Sequence, residues 1–237
     1  MAEIEGYQKV IDGARAVLDN YRPHIPIHPD WPMVKIREVS VRITKGSSPN
    51  WQGISYTKKA EGVLFITSEN VGHGELLLEK PKYVERRFNE IESKSILQRG
   101  DVLTNIVGAS IGRTAIFNMD LAANVNQAVC VIRPNTDLID STILMRLMNS
   151  RSFIQKLLGN SVENARANVS MGVLGDLEIA LPPLATQQAI VAEIEAEQAL
   201  VNANRELISR MEKKIQATLA RVWGEEENQV DLGEPTS

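Results

Sequence analysis

The sequence has almost no cysteine and little histidine, and these shortages exclude whole classes of protein. Cys130 is the one cysteine among 237 residues, so the chain cannot form an internal disulfide. It lies in the apolar run Ala128–Ile132, which is typical of a buried strand, so we expect its thiol to be a small core group. His24, His28 and His73 are isolated from one another and from Cys130, and no zinc ligand set is predicted.

Long hydrophobic runs are also missing. No apolar segment approaches the ~20 residues that a membrane-spanning helix needs, and the N-terminus lacks the basic-then-apolar pattern of a signal peptide. We therefore expect a soluble, cytoplasmic protein with no membrane contact. The net charge is −4, from 26 basic and 30 acidic residues. The acid is concentrated in residues 181–237, which hold 5 basic and 10 acidic groups, while the middle of the chain is mildly positive.

The sequence contains no recognisable catalytic constellation. The run from Gly108 to Thr114 approaches a phosphate-binding loop, but it has one residue too few between its glycines and Arg113 in place of the lysine. The acidic residues are scattered, without the pairing expected of a metal nuclease or a glycosidase, and no nucleophile has a plausible base near it. We therefore predict a non-catalytic chain with no metal and no cofactor of its own.

A helix is predicted at each end of the chain. Apolar residues fall at helical spacing over residues 3–22, and four prolines between Pro23 and Pro32 then form a stiff connector. After Pro182 and Pro183 no proline or glycine follows before Gly224, which predicts about forty residues of helix. The long helix is the candidate partner for the apolar face of the short one.

The long helix carries an apolar residue at every seventh position, which predicts a coiled-coil seam that another helix must cover. A solvated surface helix with one apolar stripe is the alternative. The seam consists of Ile190, Ile194, Val201, Ile208, Met211, Ile215 and Val222.

Between the two helices the apolar period changes to two, which predicts strands. The predicted strands lie at 33–36, 39–43, 63–66, 102–107, 114–117, 128–132 and 174–181, with helices at 141–147 and 152–158. The predicted fold class is α+β, with one mainly antiparallel β-sheet domain and small helices. We expect an N-terminal helix and Pro-rich connector at 1–30, this domain at 31–181, the coiled-coil helix at 182–224 and a disordered acidic tail at 225–237.

The loops between these strands are rich in residues that contact DNA. Lys and Arg bind phosphates, while Asn, Gln, Ser and Arg offer paired donors and acceptors to base edges. An ordinary solvated loop has a similar composition, so composition alone leaves both interpretations open. For Asn105 and Asn126 the alternative is that their side chains cap turns. The candidate DNA-binding residues are Lys45, Ser47, Lys58, Lys59, Ser68, Asn70, Asn105, Ser110, Arg113, Asn126, Gln127, Arg166 and Asn168.

Several motifs together resemble a known family. The most specific is Leu181–Val191, in which Leu-Pro-Pro-Leu precedes a helix that begins with Gln187 and Gln188. The other motifs are Val63–Ser68, Leu97–Leu103, Val107–Arg113 and Asn124–Ala128. Over residues 33–222 the chain resembles the specificity (S) subunit of type I restriction-modification systems, with one target recognition domain where the typical subunit has two.

The resemblance implies a non-catalytic subunit that reads double-stranded DNA. Such a subunit bridges two DNA adenine methyltransferase (M) subunits, which would bind S-adenosylmethionine, and restriction (R) subunits join for cleavage. The conserved helices set the spacing between two half-sites. With one domain, this chain is expected to be a half-length subunit that forms a homodimer, or a piece of a longer one. The competing interpretation, favoured by the net charge, is a coiled-coil structural or interaction module with no direct DNA role.

Overall fold

The computed structural model describes residues 2–20, 25, 27–159 and 168–223. The chain forms two compact units. A helical unit combines Met1–Pro23 with Ala192–Ser237, and a mixed unit spans His24–Val191. The predicted tail at 225–237 lies outside the described residues, and the bounds of the four predicted segments stay predictions.

The helical unit is an antiparallel pair of helices. Helix α1 spans Ala2–Asn20, and the last helix, α6, runs for 40 residues from Leu184 to Trp223, which confirms the predicted long helix. Two ion pairs join the helices, Glu3–Arg221 at 3.3 Å and Arg15–Glu212 at 2.8 Å. The residue earlier in α1 pairs with the residue later in α6, so the helices are antiparallel. These pairs are exposed and contribute little to stability.

Apolar burial stabilises this helix pair. Ile11 and Ala14 of α1 are buried three residues apart, on one face of the helix, and Val201 of the predicted seam is buried on α6. The ammonium of Lys214 on α6 lies 5.4 Å from the centre of the Tyr7 ring on α1. Together with the ion pairs, this contact confirms that the long helix is the partner of the short one.

The mixed unit contains two larger sheets. Strands β2 (Ser40–Lys45), β5 (Val102–Asn105), β6 (Thr114–Ile116) and β8 (Val129–Pro134) form a four-stranded antiparallel sheet in the order β2-β8-β5-β6. Strands β3 (Gly62–Ile66), β4 (Lys82–Glu85) and β7 (Ala123–Val125) form a three-stranded sheet in the order β4-β3-β7. Within the second sheet β3 and β7 are parallel, while β3 and β4 are antiparallel.

The core of the mixed unit lies around strand β3, which shows why its sequence is a continuous apolar run. Leu64 and Ile66 belong to a buried cluster with Leu103 of β5. Val63 and Phe65 belong to a second, smaller cluster around Phe88. Because successive side chains of a strand alternate between faces, a strand that is buried on both faces is apolar throughout.

The remaining elements are short. Strand β1 (Met33–Lys35) pairs antiparallel with β9 (Glu178–Ala180) in a separate two-stranded sheet, so these strands form three sheets within the predicted α+β fold. Helices α2 (Arg87–Ile91), α3 (Ser141–Met148), α4 (Arg151–Gly159) and α5 (Met171–Asp176) complete the unit.

The predicted strand at 174–181 is wrong over its first half, which belongs to helix α5. The side chain of Ser170 accepts a hydrogen bond from the Val173 backbone N–H at 3.1 Å and so begins a helical turn there. Gly175 is buried in that turn, where a side chain would crowd Ile43. Only Glu178–Ala180 is extended.

The Leu-Pro-Pro-Leu motif has a clear structural role at the start of α6. Gln187 is 1% exposed, and its side-chain oxygen accepts a hydrogen bond from the Asp140 backbone N–H at 2.8 Å. Its side-chain nitrogen donates to the carbonyls of Leu138 and Pro182, both at 2.9 Å. Gln187 therefore fastens the first turn of α6 to the segment that leads into α3.

Candidate nucleic-acid interface

Loops from several strands meet at one edge of the mixed unit. The Asn126 N–H donates to the carbonyl of Ile66 at 3.0 Å, and the Ile106 N–H donates to that of Ala128, also at 3.0 Å. The Val169 N–H in turn donates to the carbonyl of Ile106 at 2.9 Å. These bonds join four segments, and Gly46 packs a fifth against the end of β7. We call the surface that they form the loop edge: residues 45–48, 67–71, 105–113, 126–128 and 168–170.

Gly46 makes this close meeting possible. It is buried, and a Cβ atom at its position would overlap the carbonyl oxygen of Val125 at the end of β7. The segment that carries Lys45 and Ser47 therefore lies directly against the end of the three-stranded sheet. Only glycine permits this approach of two backbones.

Asn105 lies at the centre of the loop edge and is fully buried. Its side-chain nitrogen donates to the Ser68 carbonyl at 2.9 Å and to the Ser110 hydroxyl at 3.0 Å. Its backbone N–H donates to the Arg113 carbonyl at 3.0 Å. Asn105 therefore joins the loops that follow β3 and β5.

Asn70 has a comparable role within one loop. It is 5% exposed, its side-chain oxygen accepts from both the N–H and the hydroxyl of Thr67 at 3.0 Å, and its nitrogen donates to the Leu77 carbonyl at 2.9 Å. The sequence predicts that Asn70 and Asn105 contact DNA. In this structure both amides are buried, and their nitrogens donate to protein groups that position the loops. The Asn105 side-chain oxygen is buried without a hydrogen-bond partner.

Other predicted residues do reach the surface of the loop edge. Arg113 and Asn168 are exposed. Six more are half-buried: Lys45, Ser47, Ser68, Ser110, Asn126 and Gln127. The Asn126 side-chain oxygen accepts from the Ala128 N–H at 3.0 Å, which orients its NH₂ group as a remaining donor. Between these groups Gly108 and Ala109 are exposed and small, so the loop edge presents mainly uncharged donors and acceptors around Arg113.

Two further residues of this region were not among the candidates that the sequence predicted. His73 is exposed, and the neighbouring Gly74 N–H donates to the Thr114 carbonyl at 2.8 Å, which brings the His73 loop beside Arg113. Val107 is 37% exposed at the loop edge itself. His73 belongs to no sequence motif, and Val107 is apolar, so only the pairing of distant segments reveals their place.

Lys58 and Lys59 do not lie at the loop edge. The Glu61 N–H donates to the Lys58 carbonyl at 3.0 Å in a turn just before Gly62, the first residue of β3. The loop edge follows Ile66, the last residue of that strand. The two lysines are therefore at the opposite end of β3 from Ser68. Arg166 lies outside the described residues.

A second surface surrounds these lysines. It comprises Trp51, Tyr56, Lys58, Lys59, Arg86 and Arg87, all exposed, and we call it the aromatic–basic surface. Arg86 donates to the Ala60 carbonyl at 3.4 Å, which brings the end of β4 against the lysine turn. Gln52 donates to the Glu92 carboxylate at 3.2 Å, which holds the Trp51 turn beside the end of α2.

Not every cation of the unit is available to a ligand. The Arg133 guanidinium donates to both oxygens of the Asp101 carboxylate at 2.8 Å, and Asp101 is 1% exposed. The hydrogen bond to Asp101 raises the pKa of Arg133, so the guanidinium stays charged, and its two bonds to a buried carboxylate give it a structural role. Arg99 is exposed but paired with Asp120 at 2.7 Å, and the hydrogen bond to Asp120 raises the pKa of Arg99.

The described residues offer no sign of a metal or nucleophile site. They contain no group of three or more His, Cys, Asp or Glu side chains that could hold a metal ion. Burial raises the pKa of the Cys130 thiol to about 12, so this cysteine is a core residue, as expected from its apolar neighbours. No helix among the described residues is long and apolar enough to cross a bilayer.

The chain is similar to proteins of one family. Residues 29–213 match the family described as "Type I restriction modification DNA specificity domain". The chain is 27% identical over 207 residues to the type I restriction enzyme EcoBI specificity subunit of Escherichia coli. The match covers 86% of this chain and 41% of that subunit.

Solved structures share the fold. A structure of a type I R-M system, described for its complex assembly and conformational transition, aligns with a TM-score of 0.56 and 22% identity, over 93% of this chain and 53% of that one. The HsdS subunit from Thermoanaerobacter tengcongensis aligns with a TM-score of 0.53 and 21% identity, over 93% and 52% of the two chains. The chain thus spans about half the length of the relatives it matches. On the match of residues 29–213, it belongs to the family of type I restriction-modification DNA specificity domains.

Proposed function

We propose that this chain reads one half-site of a split DNA sequence, as the recognition subunit of a type I restriction-modification complex. The observation that carries the proposal is the loop edge, where polar side chains from five distant segments converge on one surface. Family membership supports the same conclusion. The bases are read there by exposed and half-buried amides, because Asn and Gln offer paired donors and acceptors in the major groove.

The roles within the loop edge divide by chemistry. Asn126, Gln127 and Asn168 are uncharged and suited to base edges, while Arg113 binds a phosphate or the O6 and N7 atoms of guanine. Asn105 acts indirectly, because it fixes the positions of the loops that carry Ser68 and Ser110. The small tip at Gly108 and Ala109 allows the backbone to come close to the duplex.

In this proposal the chain performs no chemistry of its own. DNA adenine methyltransferase (M) subunits dock on it and supply S-adenosylmethionine and the methyl transfer, and a restriction (R) subunit joins for cleavage. The chain works in the cytoplasm, with no membrane contact. Helix α6, at about 1.5 Å per residue and 40 residues, is long enough to span roughly 60 Å and to set the distance between half-sites.

The chain forms an antiparallel, two-fold homodimer through its helices in this proposal, so that two identical domains read two identical half-sites. Helix α1 covers part of the seam within one chain, and Ile208, Met211 and Ile215 are half-buried there. Leu200 and Trp223 remain 67% and 78% exposed, which leaves apolar surface for a second copy. The Val222 side chain lies outside the described residues.

The Ile208→Asp variant tests the dimer. A carboxylate in the seam should shift the chain to monomer in light scattering, because an unpaired charge is costly to bury. The neighbouring Ser209 is exposed, so Ser209→Asp adds the same charge outside the seam and should leave the dimer intact. A wild-type chain that stays monomeric at micromolar concentration, both alone and with M, contradicts the dimer.

A coiled-coil interaction module with no DNA role is the second candidate. The exposed Leu200 and Trp223 and the net charge of −4 favour it. A gel shift of the chain on genomic fragments, with and without an M subunit, separates the two. We expect selected fragments to be retained, and Arg113→Ala to weaken retention while Arg99→Ala, at an exposed arginine paired with Asp120, does not. An absence of retention with M present supports the interaction module.

A further inference from the structure

The aromatic–basic surface has the features of a binding surface and no role in the proposal above. The Trp51 residue is 76% exposed and Tyr56 is 54% exposed. Large aromatic side chains are usually at least partly buried, because water solvates their rings poorly. Two such rings on one exposed surface therefore indicate a ligand.

The Trp51 turn is rigid, so the exposure of the indole is built into the fold. The Trp51 N–H donates to the Ser48 carbonyl at 3.1 Å, and the Gly53 N–H donates to that of Asn50 at 3.2 Å. Gly53 closes the turn with a φ of 64°, and Pro49 is buried beneath it. The backbone of the turn is thus held in place, and the Trp51 side chain extends from it into solvent.

Tyr56 is fixed as well. Its ring packs edge-on against Phe65 of β3, with ring centres 6.1 Å apart, and Phe65 packs in the same way against Phe88 of α2 at 5.3 Å. Tyr56 also forms a β-bridge with Val84 of β4. The loop that enters β3 and the helix that follows β4 are therefore one continuous surface.

The charges of this surface favour a polyanion. Lys58, Lys59, Arg86 and Arg87 face solvent around the rings. Two nearby acids are engaged by the loop itself, because Glu61 accepts a hydrogen bond from the Thr57 hydroxyl at 3.0 Å and Glu85 accepts one from the Ser55 N–H at 2.9 Å. Glu61, Glu85 and Glu90 keep their negative charge, so the four cations exceed these three neighbouring carboxylates by one.

A nucleic-acid ligand fits these residues better than a protein does. Interfaces between proteins are enriched in Trp, Tyr and Arg but depleted in Lys, and here two exposed lysines lie in the turn that follows Tyr56. Lys and Arg are the usual partners of backbone phosphates, and the apolar sugars between the phosphates suit an exposed ring.

We infer that the aromatic–basic surface is a second DNA contact, which binds the backbone of duplex DNA without regard to sequence, outside the bases read by the loop edge. Its four cations contact phosphates, and the Trp51 indole packs against deoxyribose rings. This inference rests on the proposed function. The lysine turn and the loop edge lie at opposite ends of β3, whose five residues span about 13 Å at ~3.3 Å per step, or about four base-pair steps of ~3.4 Å. The Trp51 turn adjoins the loop edge, because the Trp51 N–H donates to the carbonyl of Ser48.

The first test measures how binding depends on salt. The full chain, with M subunit, is titrated with a duplex of random sequence, about 40 base pairs long, between ~50 and ~200 mM salt. Lys58→Ala/Lys59→Ala should reduce the slope of log K against log salt by about two, one for each phosphate partner removed. Lys9→Ala/Lys213→Ala, which removes two exposed lysines from α1 and α6, should keep the wild-type slope.

The second test observes the indole directly. In the Trp31→Phe/Trp223→Phe chain Trp51 is the sole tryptophan, and its emission should change when the random duplex is added. Trp51→Ala should weaken duplex binding about fivefold, and Trp51→Phe should weaken it less, because a ring remains. Melting temperatures close to that of the wild type show that the variants are folded.

The outcomes of these tests distinguish a failure of the second DNA contact from a failure of the proposed function. Equal salt slopes for the two double variants, or Trp51 emission that changes on addition of M but not of DNA, overturn it. Specific methylation that persists without any binding of random duplex also overturns it, while the proposed function stands. Duplex binding that depends on Lys58 and Lys59 but shows no sequence preference supports it and contradicts the proposed function.

Discussion

The loop edge and the lysine turn of the aromatic–basic surface lie at opposite ends of β3, and the two surfaces are built differently. At the loop edge the central polar groups, such as Asn105, are buried and hydrogen-bonded, and the surface above them is mostly uncharged. At the aromatic–basic surface Trp51 and Lys58 are exposed on turns held by backbone hydrogen bonds. Groups that read bases must be positioned precisely, whereas contact with phosphates needs mainly charge. The contrast matches that division of roles.

Glycine substitutions should separate the two regions by the largest effect. At the loop edge Gly46→Ala places a methyl group on the Val125 carbonyl, and we expect it to lower the free energy of unfolding by about 3 kcal/mol. In the Trp51 turn Gly53→Ala meets no atom within 4 Å and is disfavoured only by the left-handed φ of 64°. Its cost should be about 1 kcal/mol.

Urea unfolding of both glycine variants measures the difference. A Gly46→Ala chain as stable as Gly53→Ala would contradict the close packing of the loop after β2 against β7.

Asparagine substitutions should have the next largest effect. Asn105→Ala leaves the Ser68 carbonyl and the Ser110 hydroxyl without this partner, and we expect a loss of about 2 kcal/mol in the free energy of unfolding. The exposed Asn168→Ala should change stability by less than about 0.5 kcal/mol but relax the preference for one base of the target. Thermal unfolding and affinity for cognate and single-mismatch duplexes check the two expectations. If Asn105→Ala and Asn168→Ala lowered the free energy of unfolding equally, the distinction between residues that position the loops and residues that read bases would be wrong.

The smallest expected effect on stability near neutral pH is the pH dependence that comes from Cys130. This residue of β8 lies opposite Lys45 of β2 in the antiparallel pair. Burial raises its pKa to about 12, so the thiol contributes little pH dependence below about pH 8, where it is protonated in both the folded and the unfolded chain. Above that range the unfolded chain ionises first, and stability should fall by about 2 kcal/mol by about pH 10. Urea unfolding at several pH values should show that Cys130→Val lacks this part of the decline.

Thiol labelling gives an independent check on this burial. Iodoacetamide should label Cys130 at about pH 8 only in denaturant, because the folded core excludes the reagent. Rapid labelling of the folded chain would show that the thiol is accessible.

Local patterns in the sequence predicted much of the fold. The uninterrupted segment after Pro183 predicted α6, and apolar runs predicted strands such as β3 and β8. Strands β4 and β7 were missed because Lys82–Glu85 is largely polar and Ala123–Val125 has three residues, so pairing with β3 alone defines them. Helix α5 was missed because its side-chain cap and the packing of Gly175 outweigh the apolar pattern.

The candidate site was less predictable. The sequence identified the residue types, but it could not show at which end of β3 each loop lies, and so it grouped Lys58 with Ser68. It also treated Asn70 as a surface group and left open whether Asn105 contacts DNA or caps a turn, because burial of an amide depends on carbonyls supplied by distant segments. Trp51 was not among the candidates, since a tryptophan is normally expected to be largely buried.

The most direct test of DNA recognition is a genome-wide map of adenine methylation in cells that carry the M subunit gene, with and without this chain. The account predicts a methylated motif that appears only with the chain and consists of two identical, two-fold related half-sites around an unspecified centre. A seven-residue insertion in α6 near Asn204 should lengthen that centre by about three base pairs, because ~10.5 Å of helix matches about three steps of ~3.4 Å. An identical methylation map with and without the chain would contradict the account.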